Sequence, residues 1–453
     1  MATSSTGNKL PNINGLQDAK PRHSLGYRVQ HHVRTAVAAA IAATLVFVGT
    51  AAAATWMDVN GIIKNNSVGV IGQGSLNTDA SIIDPNSGKP IEFVLIGQDS
   101  RDGAENQAIG GSFDDVIGNR TEINLVSIPR DSLVDVPQCE TSKGTIPAQY
   151  NVMFNSIFAG AYKTGGDLSS AASCTLNAVN SLTGLNIQNF IVVDFAGLVK
   201  MIDSVGGVDL CIPQNVNDPY TGLNLDKGMH HLDGVAATQY ARIRHGIGDG
   251  SDTSRTTRQQ YLIKQLMSEA LSKNLFTDTA QLYQLAKSAL KSLNISQGMA
   301  DTAALAGLAM SLKNFTMTNL QTQTVPVVPA PSDPNRSVWT DEADNLWEKM
   351  RAGKPIFDTA DSNSGDSSDT SSDNSASSDD SGTTDSNQSD TTAETPDPVT
   401  GLITKSDGTL VDPSTGGTVD PDDGSIHDAT TGQYIGLADR YLNATVCAVP
   451  AKN

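Results

Sequence analysis

The chain is poor in positive charge, in aromatic side chains and in closely spaced cysteines. Its 453 residues include 30 lysines and arginines against 49 acids, a net charge of -19, with much of the surplus acid in the C-terminal third. Because a surface of this sign repels phosphates, the balance argues against a nucleic-acid partner. The spacing of the four cysteines excludes a zinc knuckle or a Cys-x-x-Cys redox pair. In an oxidising compartment they could form disulfides: Cys139, Cys174, Cys211 and Cys447.

Charge is absent from residues 35–56, and the apolar run 36–54 is about long enough to span the hydrocarbon core of a membrane. Basic residues outnumber acids upstream, so the positive-inside rule makes residues 1–34 a cytoplasmic tail. Small residues at 51–54 also allow a cleaved signal peptide, but the leader before the apolar run is long for one. We predict a single-pass cell-membrane protein with a cytoplasmic N-terminus, in which everything after residue 56 is extracytoplasmic.

Composition divides the remainder into four parts. Residues 57–90 are polar and predict a stalk, and residues 91–357 alternate strand and helix patterns, which is typical of an α/β domain. Residues 358–397 are Ser, Asp and Thr with almost no apolar content, which indicates a disordered linker. Residues 398–453 repeat Asp-Pro followed by Gly, which predicts a turn-rich C-terminal segment of short hairpins or loose loops. Within the α/β domain the predictions include a strand at 190–193, a helix at 195–205, a strand at 208–212 and two helices in 276–315.

One strand is the centre of the functional argument. The apolar run Ile123 to Ile128 ends abruptly in Pro129, Arg130 and Asp131. At the carboxyl end of a strand in an α/β sheet, a side chain is held where ligands bind. Arg130 is therefore a candidate anion-binding group. Taken alone, an Arg-Asp pair is more often a solvated strand end, so a function depends on what else converges there.

Other predicted strand and helix ends carry similar side chains. A first core strand, residues 91–97, is followed by Asp99 and Arg101, although an acidic turn is the simpler interpretation. A predicted helix at 235–243 delivers Arg242 and Arg244. The adjacent histidines 230 and 231 are predicted to be surface-loop residues, because they would project in different directions and no third metal ligand accompanies them.

A further helix, predicted from residue 255 to residue 273, opens with Arg255, Arg258 and Gln259 at positions i, i+3 and i+4. These side chains share one face of the helix. They could be an exposed basic turn, but cations are disfavoured at the positive end of a helix dipole unless an anion is also bound. We interpret the three as substrate-binding candidates.

Guanidinium groups match phosphate oxygens bidentately and stay charged at any relevant pH. Five arginines lie at the predicted ends of strands or helices of this acidic extracytoplasmic protein. With Asp99 nearby to hold Mg²⁺, they are suited to bind a pyrophosphate or phosphodiester. The five are Arg101, Arg130, Arg242, Arg244 and Arg255.

Four segments in order resemble the LytR-CpsA-Psr family: Phe93 to Gly103, Val126 to Pro137, Phe190 to Pro213, and Ala241 to His245 together with Arg255 to Gln260. The resemblance covers about residues 90 to 350. It implies an α/β/α sandwich with a central mixed sheet and an apolar pocket for a lipid. It also implies a phosphotransferase that moves a phosphoglycosyl polymer from a polyprenyl pyrophosphate carrier to a peptidoglycan hydroxyl, assisted by Mg²⁺, in cell-wall assembly.

The resemblance also implies roles for individual residues. Asp99 would hold the metal, Asp131 is a candidate base, and the pyrophosphate would be clamped by Arg101, Arg130, Arg242, Arg244, Arg255 and Gln259. The family pattern has a second metal carboxylate, a strand and a turn before the strand that ends in Pro-Arg-Asp. Here residues 111–119 run almost directly into that strand, so we predict that a strand is missing. Either Asp114 or Asp115 stands in as the second ligand, or the metal site is incomplete.

The cysteines and two rival functions complete the sequence predictions. Cys139 and Cys174 flank the segment between the Arg130 strand and the second helix and are predicted to be bridged, and Cys211 and Cys447 form a second predicted pair. A pyrophosphatase would use water in place of the sugar hydroxyl. A non-catalytic protein that binds the lipid carrier or the cell wall is the other alternative, because the metal region is short.

Overall fold

The computed structural model describes residues 54–72, 92–98, 111–119, 122–244, 246–248, 250–272, 279–300, 305, 315–357 and 395–448. Asp99, Arg101, most of the predicted membrane segment and the linker residues 358–394 lie outside these ranges. The chain divides into two compact units, residues 1–61 and 62–453, and the second contains all the strands named below. No helix among the described residues is both long enough and apolar enough to cross a membrane.

The described elements are as follows in chain order. The helices are α1 (54–65), α2 (Phe154–Gly165), α3 (Leu168–Thr183), α4 (Phe195–Val205), α5 (Gly234–Arg242), α6 (Asp252–Ser272), α7 (Thr279–Ser292), α8 (Asp341–Arg351) and α9 (Asp439–Tyr441). The strands are β1 (Ser67–Val68), β2 (Val94–Gln98), β3 (Gly111–Asn119), β4 (Glu122–Ile128), β5 (Leu133–Val136), β6 (Cys139–Thr141), β7 (Gly144–Ile146), β8 (Gln149–Met153), β9 (Phe190–Asp194), β10 (Val208–Ile212), β11 (Val216–Asp218), β12 (Leu223–Leu225), β13 (Gly228–Leu232), β14 (Leu293–Ser296), β15 (Leu320–Thr324), β16 (Val327–Ala330), β17 (Asp333–Trp339), β18 (Ile403–Thr404), β19 (Leu410–Val411), β20 (Thr418–Val419), β21 (Ser425–His427) and β22 (Tyr434–Leu437).

A seven-stranded mixed sheet with the order β1-β14-β9-β2-β3-β4-β15 forms the centre of the molecule. Strand β2 is parallel to β9, β4 is parallel to β15, and β3 runs antiparallel to both β2 and β4. Four strands therefore end at the same edge, directly before Asp99, Pro129, Phe195 and Val325. In an α/β sheet this carboxyl edge is where ligands bind.

Helices cover both faces of the sheet. Because side chains alternate along a strand, Val126 of β4 packs into a cluster with α2, α3 and α8. Its neighbour Leu125 instead joins the half-buried Ile263 and Met267 of α6 on the opposite face. The architecture is thus a mixed α/β fold with helical layers on both sides of a central sheet, as predicted. The apolar lipid pocket stays a prediction.

Three stretches of the described chain differ from the sequence prediction. The strand predicted to be missing is present: β3 pairs with both β2 and β4, because a connection of only two residues, 120 and 121, is enough to join antiparallel neighbours. Residues 276–315 contain the sheet strand β14 between their helical parts. In the segment predicted to be a stalk, β1 pairs with β14 and so joins the sheet.

The C-terminal residues 395–448 form a five-stranded antiparallel meander, β18 to β22, which agrees with the predicted short hairpins and not with loose loops. The repeated aspartates act as predicted for turn residues. Asp428, for example, accepts hydrogen bonds from the backbone amides of Thr430 and Thr431 at 3.0 and 2.6 Å. Such turns reverse the chain after each short strand and set the spacing of the meander.

Both predicted disulfides are present. Cys139 joins β6 to Cys174 in α3, and Cys211 in β10 joins Cys447 after the meander, each with a Cα–Cα distance of 5.6 Å. Lys264 of α6 adds an ion pair to Asp439 at 2.9 Å. The C-terminal meander is therefore fastened to β10 and α6 by a covalent bond and by a charge pair.

Candidate functional site

Arg130 lies at the carboxyl edge of the sheet, two residues beyond the end of β4, and only 8% of its surface is exposed. Its backbone amide donates to Oδ2 of Asp252 at 2.9 Å. Its Nε lies 3.1 Å from Oδ1 of the same carboxylate, but the Nε–H is not aligned with it and has no hydrogen-bond acceptor among the described residues. The site thus holds a buried cation whose hydrogen-bonding capacity is incompletely used.

Asp252, the first residue of α6, joins Arg130 to a second buried guanidinium. Its Oδ1 also contacts Nη2 of Arg255, which is 7% exposed. Burial lowers the pKa of Arg255; Asp252 opposes this effect and Arg130 adds to it. Because an arginine remains protonated in proteins, two buried positive charges share one carboxylate here. Such a group favours an additional anion.

Asp131 lies between Arg130 and a third arginine, Arg336 of β17. Its Oδ2 is 3.8 Å from Nε of Arg130, and its Oδ1 is 3.5 Å from Nη1 of Arg336. Burial raises the pKa of Asp131, and the charge of Asp252 raises it further, whereas the three arginines oppose the change. A carboxylate with a raised pKa is a better proton acceptor at neutral pH, which is the property required of a general base.

The raised pKa has a consequence for stability. The native state binds the Asp131 proton more tightly than the unfolded chain does. The protonated carboxyl group therefore adds to the free energy of unfolding below its ordinary pKa of 3.8, and this stabilisation is lost as the pH rises through the raised pKa. We expect the free energy of unfolding of Asp131→Asn to equal that of the wild type near pH 4 and to exceed it by up to about 1 kcal/mol at pH 7. Urea unfolding at both pH values measures this. A variant less stable at pH 7 would show that the arginine contacts outweigh burial.

Arg242 reaches the same edge of the sheet from α5. Its guanidinium carbon lies 4.6 Å from the centre of the Phe195 ring, a cation–π contact with the first residue of α4. Phe195 directly follows β9, whose neighbour β2 ends just before Asp99. Arg244, two residues further along, is exposed. The structure therefore places Arg242 at the carboxyl edge, and Arg244 on the surface nearby in the chain.

Arg258 and Gln259 both donate hydrogen bonds to backbone carbonyls at or just after the end of α5. Arg258 donates to Oγ of Ser254 and to the carbonyl oxygen of Ile243, both at 2.7 Å. Gln259 donates to the carbonyl oxygen of Ala241 at 3.1 Å. These bonds fix α6 against the segment that carries Arg242. Of the three residues predicted to share a ligand-binding face, the structure brings only Arg255 to Arg130, and a binding role for the other two stays a prediction.

The predicted Mg²⁺ site stays a prediction, because Asp99 lies outside the described residues. Gly111 pairs with Gly97 near the edge, but Asp114 lies opposite Val94, three residues along β3 and so about 10 Å further from the edge. Asp115 follows at a bulge in the pairing with β4. Among the residues that the structure describes, no group of three or more His, Cys, Asp or Glu side chains is arranged to hold a metal.

Sequence reasoning missed three residues of the site. Asp252 precedes the helix predicted from residue 255 and is not among the predicted candidates, although an acid three residues before Arg255 in a first helical turn is a recognisable signal. Gln260 donates to Oγ of Ser127 at 2.8 Å and to Oγ1 of Thr324 at 3.3 Å, which holds α6 over the ends of β4 and β15. Arg336 lies about two hundred residues from Asp131 in the chain, and nothing in its local sequence marks it.

The two histidines lie in strand β13, not in a loop. His231 is exposed; its Nδ1 contacts Oδ1 of Asp209 at 2.7 Å and its Nε2 contacts the carbonyl oxygen of Gly206 at 2.8 Å. The hydrogen bond to Asp209 is the main cause that raises the pKa of His231. Since both ring nitrogens face acceptors, the charged ring is favoured and no nitrogen is left to bind a metal.

Buried arginines at the carboxyl edge of parallel strands define an α/β protein with a candidate anion-binding site. The sequence model of the LytR_cpsA_psr family matches residues 61–352. The chain therefore belongs to this family.

Individual relatives agree with the family. The chain is 26% identical over 296 residues to the cell wall biosynthesis protein LcpA of Corynebacterium glutamicum, a match that covers 59% of this chain and 56% of LcpA. It is 28% identical over 240 residues to the polyisoprenyl-teichoic acid–peptidoglycan teichoic acid transferase TagV of Bacillus subtilis, covering 51% and 55%. The solved LytR-Csp2A-Psr enzyme of Actinomyces oris covers 60% of this chain and 92% of its own, at 22% identity and a TM-score of 0.42. The chain thus spans little more than half the length of these curated relatives.

Proposed function

We propose that this protein is a phosphotransferase of cell-wall assembly, which moves a phosphoglycosyl polymer from a polyprenyl pyrophosphate carrier to a hydroxyl group of peptidoglycan. The observation that carries the proposal is the buried pair Arg130 and Arg255 at the carboxyl edge of the sheet, whose Nε–H groups both lack an acceptor among the described residues. Two guanidinium groups that contact the same carboxylate are close enough together to bind the oxygens of one pyrophosphate. Relatives whose names specify transfer of teichoic acid to peptidoglycan support the same substrate class.

The proposed reaction breaks a phosphoanhydride bond and forms a phosphodiester. The acceptor hydroxyl oxygen attacks the phosphorus that bears the glycan, the bond from that phosphorus to the bridging oxygen breaks, and polyprenyl phosphate leaves. Asp131 accepts the hydroxyl proton, as its raised pKa allows. Arg130 and Arg255 stabilise the negative charge that develops on the leaving phosphate, which is the main catalytic requirement in phosphoryl transfer.

Two sequence predictions complete the proposal. Residues 35–56 anchor the chain in the cell membrane with residues 1–34 in the cytoplasm, so the catalytic domain lies on the side where peptidoglycan is built. Mg²⁺ bound through Asp99 would neutralise pyrophosphate charge. Because Asp114 does not lie at the sheet edge, the steps above are assigned to the side chains of the chain itself.

The test is product analysis with the full chain, a polyprenyl pyrophosphate-linked glycan and peptidoglycan, with Mg²⁺ or with EDTA. We expect glycan phosphate to become attached to peptidoglycan, and Arg130→Ala to lower the rate by about 100-fold or more, the usual loss on removal of one charge-stabilising donor. Arg440→Ala is the matched control, because Arg440 donates to the carbonyl oxygen of Pro398 within the C-terminal segment.

Each alternative outcome has a definite meaning. Release of free glycan phosphate without attachment would assign hydrolysis instead of transfer. Carrier binding that survives EDTA, with no turnover, would assign a binding protein. Equal rates for Arg130→Ala and Arg440→Ala would remove the arginine pair from the mechanism.

A further inference from the structure

The hairpin of β16 and β17 lies against the segment that follows β4. The backbone amide of Ser337 donates to the carbonyl oxygen of Asp131 at 3.2 Å, and Ser132 and Ser337 form an isolated parallel bridge. Their hydroxyl groups are 3.4 Å apart. The hairpin is therefore held to the backbone of Asp131 and to the next residue, Ser132, and it brings its own Arg336 there.

Arg336 lies between two carboxylates. Its Nη1 is 3.5 Å from Oδ1 of Asp131, and its Nε is 3.9 Å from Oδ2 of Asp333 in the same strand. The Arg336 side chain is one-third exposed, whereas the side chains of Arg130 and Arg255 are more than nine-tenths buried. This third guanidinium thus approaches the site from its solvent side, on a separate element of the fold.

The other charged side chains near Asp131 already form ion pairs around Asp252. Arg130 lies closer to Asp252 than to Asp131, at 3.1 against 3.8 Å. Arg255 also contacts Asp252. The charges that act on Asp131 are therefore Arg130 from its own segment, Asp252 and Arg255 from α6, and Arg336 from β17, with Asp333 beyond it. Of the arginines paired with Asp131, Arg336 is the nearest.

We propose that Arg336 is a positioning residue that fixes the Asp131 carboxylate and keeps it ionised, so that Asp131 can accept the proton of the attacking hydroxyl. The inference rests on the proposed function for its catalytic meaning. The control of the Asp131 carboxyl group by Arg336, which lies on a separate hairpin, does not depend on bound substrate. Arg336 itself is not required to touch the reacting atoms.

The first experiment follows the carboxyl carbon of Asp131 by NMR in the full chain, with the signal assigned by its loss in Asp131→Asn. We expect its titration midpoint to move to higher pH in Arg336→Gln and to return in Arg336→Lys, which restores a positive charge. Asp333→Asn removes the competing carboxylate and should move the midpoint to lower pH. Arg440→Gln, which changes a distant arginine, should leave the midpoint where it is.

The second experiment measures turnover against pH. In Arg336→Gln we expect the rate on the acid side of the profile to fall about tenfold and the rate on the alkaline plateau to fall less than about threefold, because only the ionised fraction of Asp131 is affected. An equal fall at every pH would overturn a positioning role, as would an unchanged NMR midpoint in Arg336→Gln. If the wild type shows no transfer, the proposed function fails while the NMR titration still decides the role of Arg336.

Discussion

Replacing Asp252 by alanine is expected to remove about 3–5 kcal/mol from the free energy of unfolding, the cost of breaking a buried charge pair by removing one partner. Asp252 is the one carboxylate that contacts both Arg130 and Arg255. Without it, the two buried guanidinium groups keep only the more distant carboxylate of Asp131, which lies 3.8 Å from Nε of Arg130. The variant also loses the acceptor for the backbone amide of Arg130.

The matched control is Asp439→Ala. Asp439 also forms an ion pair, with Lys264 at 2.9 Å, but both side chains are appreciably exposed to water. A pair of this kind contributes at most about 1 kcal/mol. Urea unfolding of the two variants compares them directly, and similar losses would show that the arginine cluster is far better solvated than its burial indicates.

Adding inorganic pyrophosphate to the same unfolding experiment tests anion binding at the arginine pair. In the wild type, Asp252 occupies the guanidinium groups that the ligand needs, so the two anions compete. In Asp252→Ala the ligand supplies the missing negative charge. We therefore expect pyrophosphate to raise the unfolding midpoint of the variant by more than it raises that of the wild type. A smaller rise in the variant would mean that Asp252 helps to hold the anion and does not compete with it.

Local sequence signals were sufficient where the physical cause is itself local. Helix α4 begins and ends as predicted, because Asp194 caps its first turn by accepting from the amide of Gly197 and because Gly206 adopts a left-handed φ of 91° after its last turn. Arg130 was located correctly for the same kind of reason. An apolar run followed by proline fixes where β4 ends and therefore where the next side chain lies.

Partners distant in the chain account for most of what the sequence did not show. The four residues of β14 are recognisable only through β9, with which they pair about a hundred residues earlier in the chain. Arg336 reaches Asp131 because β17 forms a bridge at Ser132, an event that no periodicity of residues 333–339 predicts. The shortened region before β4 was misjudged because a hairpin with a two-residue connection leaves no turn signal long enough to separate two strands.

Loss of the Cys211–Cys447 disulfide is expected to lower the free energy of unfolding by about 2–5 kcal/mol. The bond closes a segment of 236 residues, against 35 for Cys139–Cys174. If the bond acts mainly by restricting the unfolded chain, the difference in loop length makes the longer cross-link about 1–2 kcal/mol more stabilising. The measurement is urea unfolding of Cys211→Ala/Cys447→Ala beside the control Cys139→Ala/Cys174→Ala. A larger loss in the control would show that native packing around each bond matters more than the loop it closes.

The same variant tests what fastens the C-terminal meander to the domain that carries the site. After the disulfide is removed, Tyr261 of α6 still donates to Oδ1 of Asn443 at 2.6 Å, and Leu442 remains in the apolar cluster beneath β10. These contacts should keep the meander docked most of the time, with more frequent opening. We expect amide hydrogen exchange to rise first in β18 to β22 and to change least in the first turn of α6, two turns before Gln260, which holds the helix to β4 and β15. An equal rise in that turn would mean that the meander supports the helix on which Asp252 and Arg255 lie, so that the disulfide stabilises the arginine site as well as the C-terminal strands.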